Sequence, residues 1–217
     1  MTSCTPIPWQ SIAERGEVPL LLVRHGRTKA NIERRFVGKM DVPLDEHGRG
    51  EAALWGERMK GEKFSGLYSS PLSRARETAE QLGAPSLLSS LQELDQGIFE
   101  GKRLDELDPA LLPFFEKWKQ DPSSAVIPGG ESLGQCRDRV LHGLTECLSQ
   151  HEPGPPVVVV THQMVMACVV LTAVDLPLRF LPLVKHGNTA MVLLSFSPSR
   201  GFRAARLNDT EHLAESL

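Results

Sequence analysis

Two histidines stand in the same local setting in this 217-residue chain. His25 follows the apolar run Leu20–Val23 through Arg24, and His162 follows Val157–Val160 through Thr161. A short, β-branched-rich run that stops abruptly at polar residues is the pattern of a buried parallel strand with its polar residues at the carboxyl end. If both strands are central and parallel, both imidazoles emerge at one edge of the sheet. Arg24 adjoins the first imidazole, and Arg74 can approach the same edge from the start of a helix. Guanidinium keeps its charge and binds phosphate oxygens in pairs. Two such forks beside two imidazoles describe a pocket for a phosphate dianion.

Phosphoryl transfer depends on positioning and on neutralising charge at the equatorial oxygens. An imidazole whose second nitrogen is tied down as a donor is a good in-line nucleophile. On this reading His25 attacks phosphorus, while Arg24, Arg74 and His162 hold the oxygens. A carboxylic acid must then protonate the leaving alkoxide and later activate water. Glu93, in the Leu91-Gln92-Glu93 loop, is the candidate, with Glu100 the alternative on spacing alone. Taken singly, Gln163 reads as a helix cap and Asn31 as a turn residue. His47, His142, His151 and His186 read as surface or packing residues, and His212 is undecided.

The elements that must position these groups follow from period and punctuation. Asp45 or Glu46 starts a helix carrying Ala52, Ala53, Leu54, Trp55 and Met59. Leu67-Tyr68-Ser69 ends a second strand. Ser70-Pro71 predicts a helix start, Ser as N-cap and Pro at the first helical position, with a stripe at Ala75, Thr78, Ala79 and Leu82 closed by Gly83. Leu91–Gly101 reads as a loop hinged at Gly97 and Gly101, Leu104–Gln120 as weakly helical, and Pro128-Gly129-Gly130 as a turn. Leu133, Cys136, Val140, Leu144, Cys147 and Leu148 mark an amphipathic helix. Met164 to Val174 is apolar nearly all round, so that helix should be internal. Met191–Phe196 and Phe202–Leu207 suggest a hairpin. Strands alternating with helices predict an α/β fold, a three-layer sandwich with a mostly parallel central sheet, helices on both faces and function at the strands' carboxyl ends. Residues 1–18 read as an N-terminal extension whose order is left open, and 19–213 as one domain.

The formal net charge of −3 argues against nucleic acid or an anionic membrane as partner. A small phosphorylated substrate must therefore be drawn by the local Arg and His cluster. Cys4, Cys136, Cys147 and Cys168 form no CxxC pair, and Met1–Val18 lacks the apolar stretch of a signal peptide. Together these predict reduced thiols and a cytoplasmic location. Val157–Val174 is interrupted by Thr161, His162 and Gln163, so no membrane span is expected. No metal-ligand cluster and no cofactor motif is visible, and the oligomeric state is open, a homodimer included.

Several blocks in order resemble the histidine phosphatase (phosphoglycerate mutase-like) superfamily from Leu20 to Leu213. They are Leu22-Val23-Arg24-His25-Gly26-Arg27-Thr28 with Asn31; Asp41-Val42-Pro43-Leu44 with Gly48; and Ser69 to Ala75 with Thr78-Ala79. Leu91-Gln92-Glu93 with Gly97 and Phe99-Glu100-Gly101, Pro128 to Ser132, and Thr161-His162 complete the set. The resemblance implies His25 as phosphate acceptor, Arg24, Arg74 and His162 as phosphoryl ligands, and Glu93 rather than Glu100 as proton donor. It also implies that Asn31 and the Val37-Gly38 backbone line the substrate side, with no metal required. Three positions depart from the family pattern. Gln163 stands where Gly is usual and could bond a second substrate group, while Arg27 and Ala30 replace the common Glu and Trp. The short Gly101–Gly129 segment, whose cations before Lys117 are Lys102 and Arg103, and the closing Asn208–Leu213 resemble phosphatase branches. The resemblance thus implies a metal-independent phosphomonoesterase. A phosphoglycerate-type mutase and a non-catalytic phospholigand-binding module are the alternatives.

Overall fold

The chain, described here by a computed structural model over residues 5–213, builds one six-stranded sheet in the order β3-β2-β4-β1-β5-β6. The strands are β1 (Val18–Arg24), β2 (Gly66–Ser69), β3 (Ser86–Leu87), β4 (Val157–Thr161), β5 (Met191–Ser197) and β6 (Gly201–Asp209). β1 to β4 are mutually parallel, and β5 and β6 add an antiparallel hairpin at one edge. The seven α-helices are α1 (Gln10–Ala13), α2 (Lys29–Glu33), α3 (Glu46–Arg58), α4 (Ser73–Ala79), α5 (Leu112–Gln120), α6 (Leu133–Leu148) and α7 (Gln163–Ala173). Residues Met1–Cys4 and 214–217, and with them the thiol of Cys4, lie outside the described residues.

Strand alternation divides the core in two. Leu20, Leu22, Val157 and Val159 pack on one face with α6 and α7, through Leu133, Val140, Leu144, Val165 and Val169. Leu21, Val23, Val158 and Val160 face the other way, against Ile12 of α1, Trp55 and Met59 of α3, and Ala75 and Ala79 of α4. The result is the expected sandwich. Ile7 and Ile12 are buried in the second cluster, so residues of the N-terminal extension pack onto the sheet, and β1 already begins at Val18.

β1 and β4 are the two central strands, paired Leu22 to Val159, Val23 to Val160 and Arg24 to Thr161. This register carries His25 and His162 past the sheet edge side by side. Each fully buried Val or Leu on these strands contributes roughly 1.5–3 kcal/mol. Their combined burial outweighs the cost of dehydrating the polar residues that follow, so core packing fixes where the histidines stand.

Two helical expectations are corrected. α4 starts at Ser73, with Leu72 rather than Ser70 at the N-cap. The Asp41 carboxylate accepts from both the backbone N–H and the hydroxyl of Ser73 (2.7 Å each), satisfying the helix end from another segment. Ser70 is thereby left to serve the site. Within Leu104–Gln120 only α5 is α-helical. It is preceded by 3₁₀ turns at Leu104–Glu106 and Pro109–Leu111, because Pro109 and Pro113 lack the N–H a continuous helix needs. α3 does begin after Asp45, whose side chain accepts from the Gly48 N–H (2.7 Å).

The start of α3 lies directly against the turn after β1. A Cβ on Gly48 would sit 2.0 Å from the Arg27 carbonyl oxygen, and one on Gly26 would sit 2.5 Å from the Gly48 oxygen. Because these contacts are backbone on backbone, no side chain can move aside. Gly48→Ala should therefore lower stability by about 1–3 kcal/mol, read as a lower urea midpoint at unchanged m-value. An unshifted midpoint would show that the close approach is not required.

Candidate active site

His25 is 4% exposed, and its backbone is held on all sides. Its N–H donates to the Thr161 carbonyl (2.9 Å), and its own carbonyl accepts from the Asn188 side chain (3.0 Å) and the Thr189 N–H (3.4 Å). Next to it, the Gly26 N–H donates to Thr78 Oγ1 of α4 (3.0 Å). Thr189 has φ of +53°, a costly conformation for a β-branched residue, and its hydroxyl meets the buried His212 Nε2 at 2.9 Å. His212, undecided from sequence, thus props up the segment that fixes the His25 backbone.

The ring of His25 is oriented by its own turn. Nδ1 lies 2.7 Å from the Gly26 carbonyl, which makes Nδ1 the donor and leaves the Nε2 lone pair as the reactive one. Burial, and then the positive charges of Arg24 and Arg74, hold the imidazole well below its ordinary pKa. His25 is a neutral imidazole at neutral pH.

His162 is fully buried, with its ring centroid 5.2 Å from that of His25. Its Nδ1 accepts from Arg74 Nε (3.2 Å), so Nε2 carries the proton and donates to Ser70 Oγ (2.8 Å). Burial followed by the Arg74 charge lowers its pKa as well. Arg74, 1% exposed, donates its remaining arms to the carbonyls of Met40 (3.0 Å) and Gly38 (2.8 Å). Arg24 donates one arm to the His186 carbonyl (2.7 Å), and its Nε is buried without a partner.

Glu93 is 6% exposed, and burial raises its pKa, opposed by hydrogen bonds and by the arginine charges. Its Oε1 accepts from the Leu94 N–H (2.9 Å) and its Oε2 from the Met164 N–H at the start of α7 (3.3 Å). Both guanidiniums feel its charge. Two neutral imidazoles, one buried and one half-buried guanidinium and one carboxyl with a raised pKa therefore converge at the carboxyl ends of β1 and β4. Among the described residues, no group of three or more His, Cys, Asp or Glu side chains is placed to hold a metal ion.

The profile of the histidine phosphatase superfamily (branch 1) matches residues 20–210. The chain belongs to this superfamily. A probable phosphoglycerate mutase GpmB from Salmonella choleraesuis is 34% identical over 161 residues, which make up 72% of this chain and 74% of that protein. Among solved structures, Bacillus stearothermophilus YhfR superposes with a TM-score of 0.84 at 30% identity, covering 90% of this chain and 99% of that one. A mycobacterial glucosyl-3-phosphoglycerate phosphatase solved with VO3 gives 0.78 at 28% identity, covering 89% and 100%. The α/β architecture expected from the sequence is the architecture shared with these solved structures.

Within this histidine phosphatase, His25, Arg24, Arg74, His162 and Glu93 are brought together as their motifs suggested. Gly38 adjoins them through its carbonyl on Arg74, and Val37 precedes it. Asn31 is exposed, and its Oδ1 is committed to a capping box at α2, accepting from the Thr28 N–H (3.0 Å) and hydroxyl (3.1 Å). Gln163 spends both amide ends on backbone, donating to the Val184 carbonyl (2.8 Å) and accepting from the His186 N–H (3.0 Å). That bond steadies the segment whose carbonyl holds Arg24. Arg27 points away to Asp45 (2.9 Å), so its departure from the family pattern leaves the pocket intact.

Sequence reading missed Ser70, Asn188 and the true role of Glu100. His186, read as a surface or packing residue, is packed: it is a buried neighbour of Arg24, and burial and that charge lower its pKa to about 4. Glu100 commits one carboxylate oxygen to a neighbouring loop while its charge is felt by Arg74. Its Oε1 accepts from the Gly38 (2.8 Å) and Met40 (2.7 Å) N–H groups, holding the loop whose carbonyls hold Arg74. The one available signal was that Glu100 follows Phe99 in a glycine-flanked turn, where a carboxylate is free to bind backbone donors. Because a displacement of about 1 Å can cost about 100-fold, Glu100→Ala should lower kcat/KM about 10- to 100-fold. Glu100→Gln, which keeps an acceptor, should recover most of the loss. Equal losses in both variants would show that the negative charge, not loop placement, is what matters.

Proposed function

We propose that this histidine phosphatase is a phosphomonoesterase acting on a small phosphorylated metabolite through a phosphohistidine on His25. The observation that carries this reading is His25 itself: neutral, with Nδ1 anchored on Gly26 and Nε2 free, in a pocket with the buried Arg74 and half-buried Arg24 guanidiniums. Arg24 Nε, buried without a protein partner, suits a phosphoryl oxygen. Ser70 Oγ occupies an acceptor position for His162 Nε2–H that a phosphoryl oxygen can take over. As the bond from Nε2 to phosphorus forms and the bond to the leaving oxygen breaks, Glu93 gives that oxygen its proton. The carboxylate then removes a proton from water, which attacks the phosphohistidine and releases inorganic phosphate. Arg24 and Arg74 carry the oxygen charge throughout, so the reading requires no metal and no cofactor.

Hydrolysis is favoured over mutase chemistry by the segment from Gly101 to Gly129. Its Arg103 is paired with Asp105, and Lys102 is exposed. Neither is positioned by a described contact to grip a substrate carboxylate. The named relatives lean both ways, since one is called a probable mutase and another a phosphatase.

His25→Ala should reduce phosphate release from alkyl phosphates by at least about 1,000-fold, the scale on which a covalent nucleophile acts. Wild-type-like turnover by that variant, or loss of activity with EDTA, would overturn the mechanism. If 3-phosphoglycerate is isomerised faster than it is hydrolysed, the mutase alternative stands.

The pH profile follows from the two shifts. His25 must be unprotonated, and its pKa is lowered, so the acid limb should fall well below pH 6.5. Glu93 must be protonated, and its pKa is raised, so kcat/KM for alkyl phosphates should decline as pH rises above the usual carboxyl range. An activated aryl phosphate needs no proton, so it should lack that decline. Glu93→Gln should slow alkyl phosphates far more than aryl ones. Equal slowing of both classes would remove Glu93 from the acid role.

A further inference from the structure

Against Met164 of α7, whose N–H holds Glu93, lies a solvent-open cavity of about 140 Å³. Its walls include Phe36, Phe99, Phe114, Phe115, Trp118 and Met164, so four of the chain's eight phenylalanines meet here. α5 turns Phe114, Phe115 and Trp118 inward, half-buried, and leaves Glu116, Lys117 and Lys119 exposed. The rings already touch at tilted or offset angles, with centroids 4.9 Å apart for Phe99–Phe115, 5.1 Å for Phe99–Phe114 and 5.8 Å for Phe114–Trp118. Another ring fits such a lining with the same offset or edge-on geometry.

The cavity is linked to the reacting groups through the backbone of its lining residues. Met164 lines it, and the Met164 N–H donates to the Glu93 carboxylate (3.3 Å). Phe36 precedes by two residues Gly38, whose carbonyl accepts from Arg74, and a Cβ on Gly38 would lie 3.1 Å from Cγ of Gln96, another lining residue. Glu93 delivers its proton to the leaving oxygen, so the group carried by that oxygen is the one that occupies the acid's side of the pocket. No charged side chain is among the lining residues, and Gln96 is their one polar member. A carboxylate or polyol placed there would lose water without gaining a partner.

Resting on the phosphatase reading, we infer that the cavity receives the leaving alcohol and selects phosphate monoesters of alcohols that carry an aromatic ring. In the first step the Nε2–P bond forms, the P–O bond breaks, and the ring-bearing alcohol leaves with the Glu93 proton. Its release from an apolar slot precedes attack by water.

The test compares kcat/KM, by phosphate release, for 2-naphthylmethyl phosphate and benzyl phosphate against glycerol phosphate, phosphoserine and 3-phosphoglycerate. All five lose an alkoxide, so the acid has comparable work to do and differences report the cavity. The naphthyl ester should lead glycerol phosphate by at least about tenfold, the least that a well-placed apolar group is worth in such a pocket. Most of that lead should appear in KM. In Trp118→Ala, and in Leu104→Gln at the cavity's 51%-exposed rim, the ratio should drop several-fold. The rim variant disturbs no buried packing, so it keeps the test meaningful if Trp118→Ala fails to fold. A wild-type ratio near or below one, with phosphate still released, overturns the inference and leaves the phosphatase reading standing. Release from no ester overturns both. An unchanged ratio in Leu104→Gln accompanied by loss of a dimer assigns the apolar surface to a second copy of the chain and overturns the inference.

Discussion

Two guanidiniums, that of Arg74 buried and that of Arg24 half-buried, meet at one point in this fold, and no fully committed anion neutralises them. Arg74 is nearly inaccessible and is held by two backbone carbonyls and an imidazole nitrogen. Arg24 is held by one carbonyl and keeps a buried donor unpaired. The nearest carboxyl, Glu93, is itself buried and has a raised pKa. Excess positive charge in a poorly hydrated pocket is costly unless an anion completes it. Burial, with the arginine charges second, keeps both imidazoles neutral, and on the proposed reading the uncompensated charge suits a phosphate dianion while burial keeps a proton on Glu93.

The surrounding structure is arranged to maintain this imbalance. Neutral oxygens, rather than carboxylates, grip the arginines, so position is fixed without cancelling charge. The carboxylates near the site act at one remove. Glu100 binds the loop amides at Gly38 and Met40, Asp41 caps α4 beneath Arg74, and Asp45 anchors Arg27 and the start of α3. Gln163 serves the same end on the other side by fixing the His186 segment under Arg24. Strain is accepted where the nucleophile's backbone demands it, at Thr189, and is stabilised by His212.

The apolar cavity obeys a different rule. The candidate phosphoryl pocket is defined by charge. The cavity near it is defined by aromatic rings from three separated segments, the Phe36 loop, the Phe99 turn and α5. On the proposed reading chemistry and selectivity are carried by different parts of the fold, linked through the Glu93–Met164 contact.

The sequence by itself determined the layered architecture, the central pair of strands and the five groups that carry charge or protons. Those properties are local: apolar runs with polar ends, period-2 alternation, and motif blocks whose side chains leave the sheet at predictable points. Tertiary structure alone decided the partners. Ser70 reads locally as a helix cap, but Asp41 caps that helix instead, and Ser70 becomes the acceptor for His162. Gln163 and Asn31 look available to substrate, yet backbone groups from elsewhere in the fold or from their own turn claim their amide oxygens. Glu100 resembles a rival acid until its two loop amides are seen, and nothing local in the sequence places Arg24 on the His186 carbonyl. Hydrogen-bond partners far apart in the chain leave no periodic trace, because only the competition among donors and acceptors brought together by folding decides who bonds to whom.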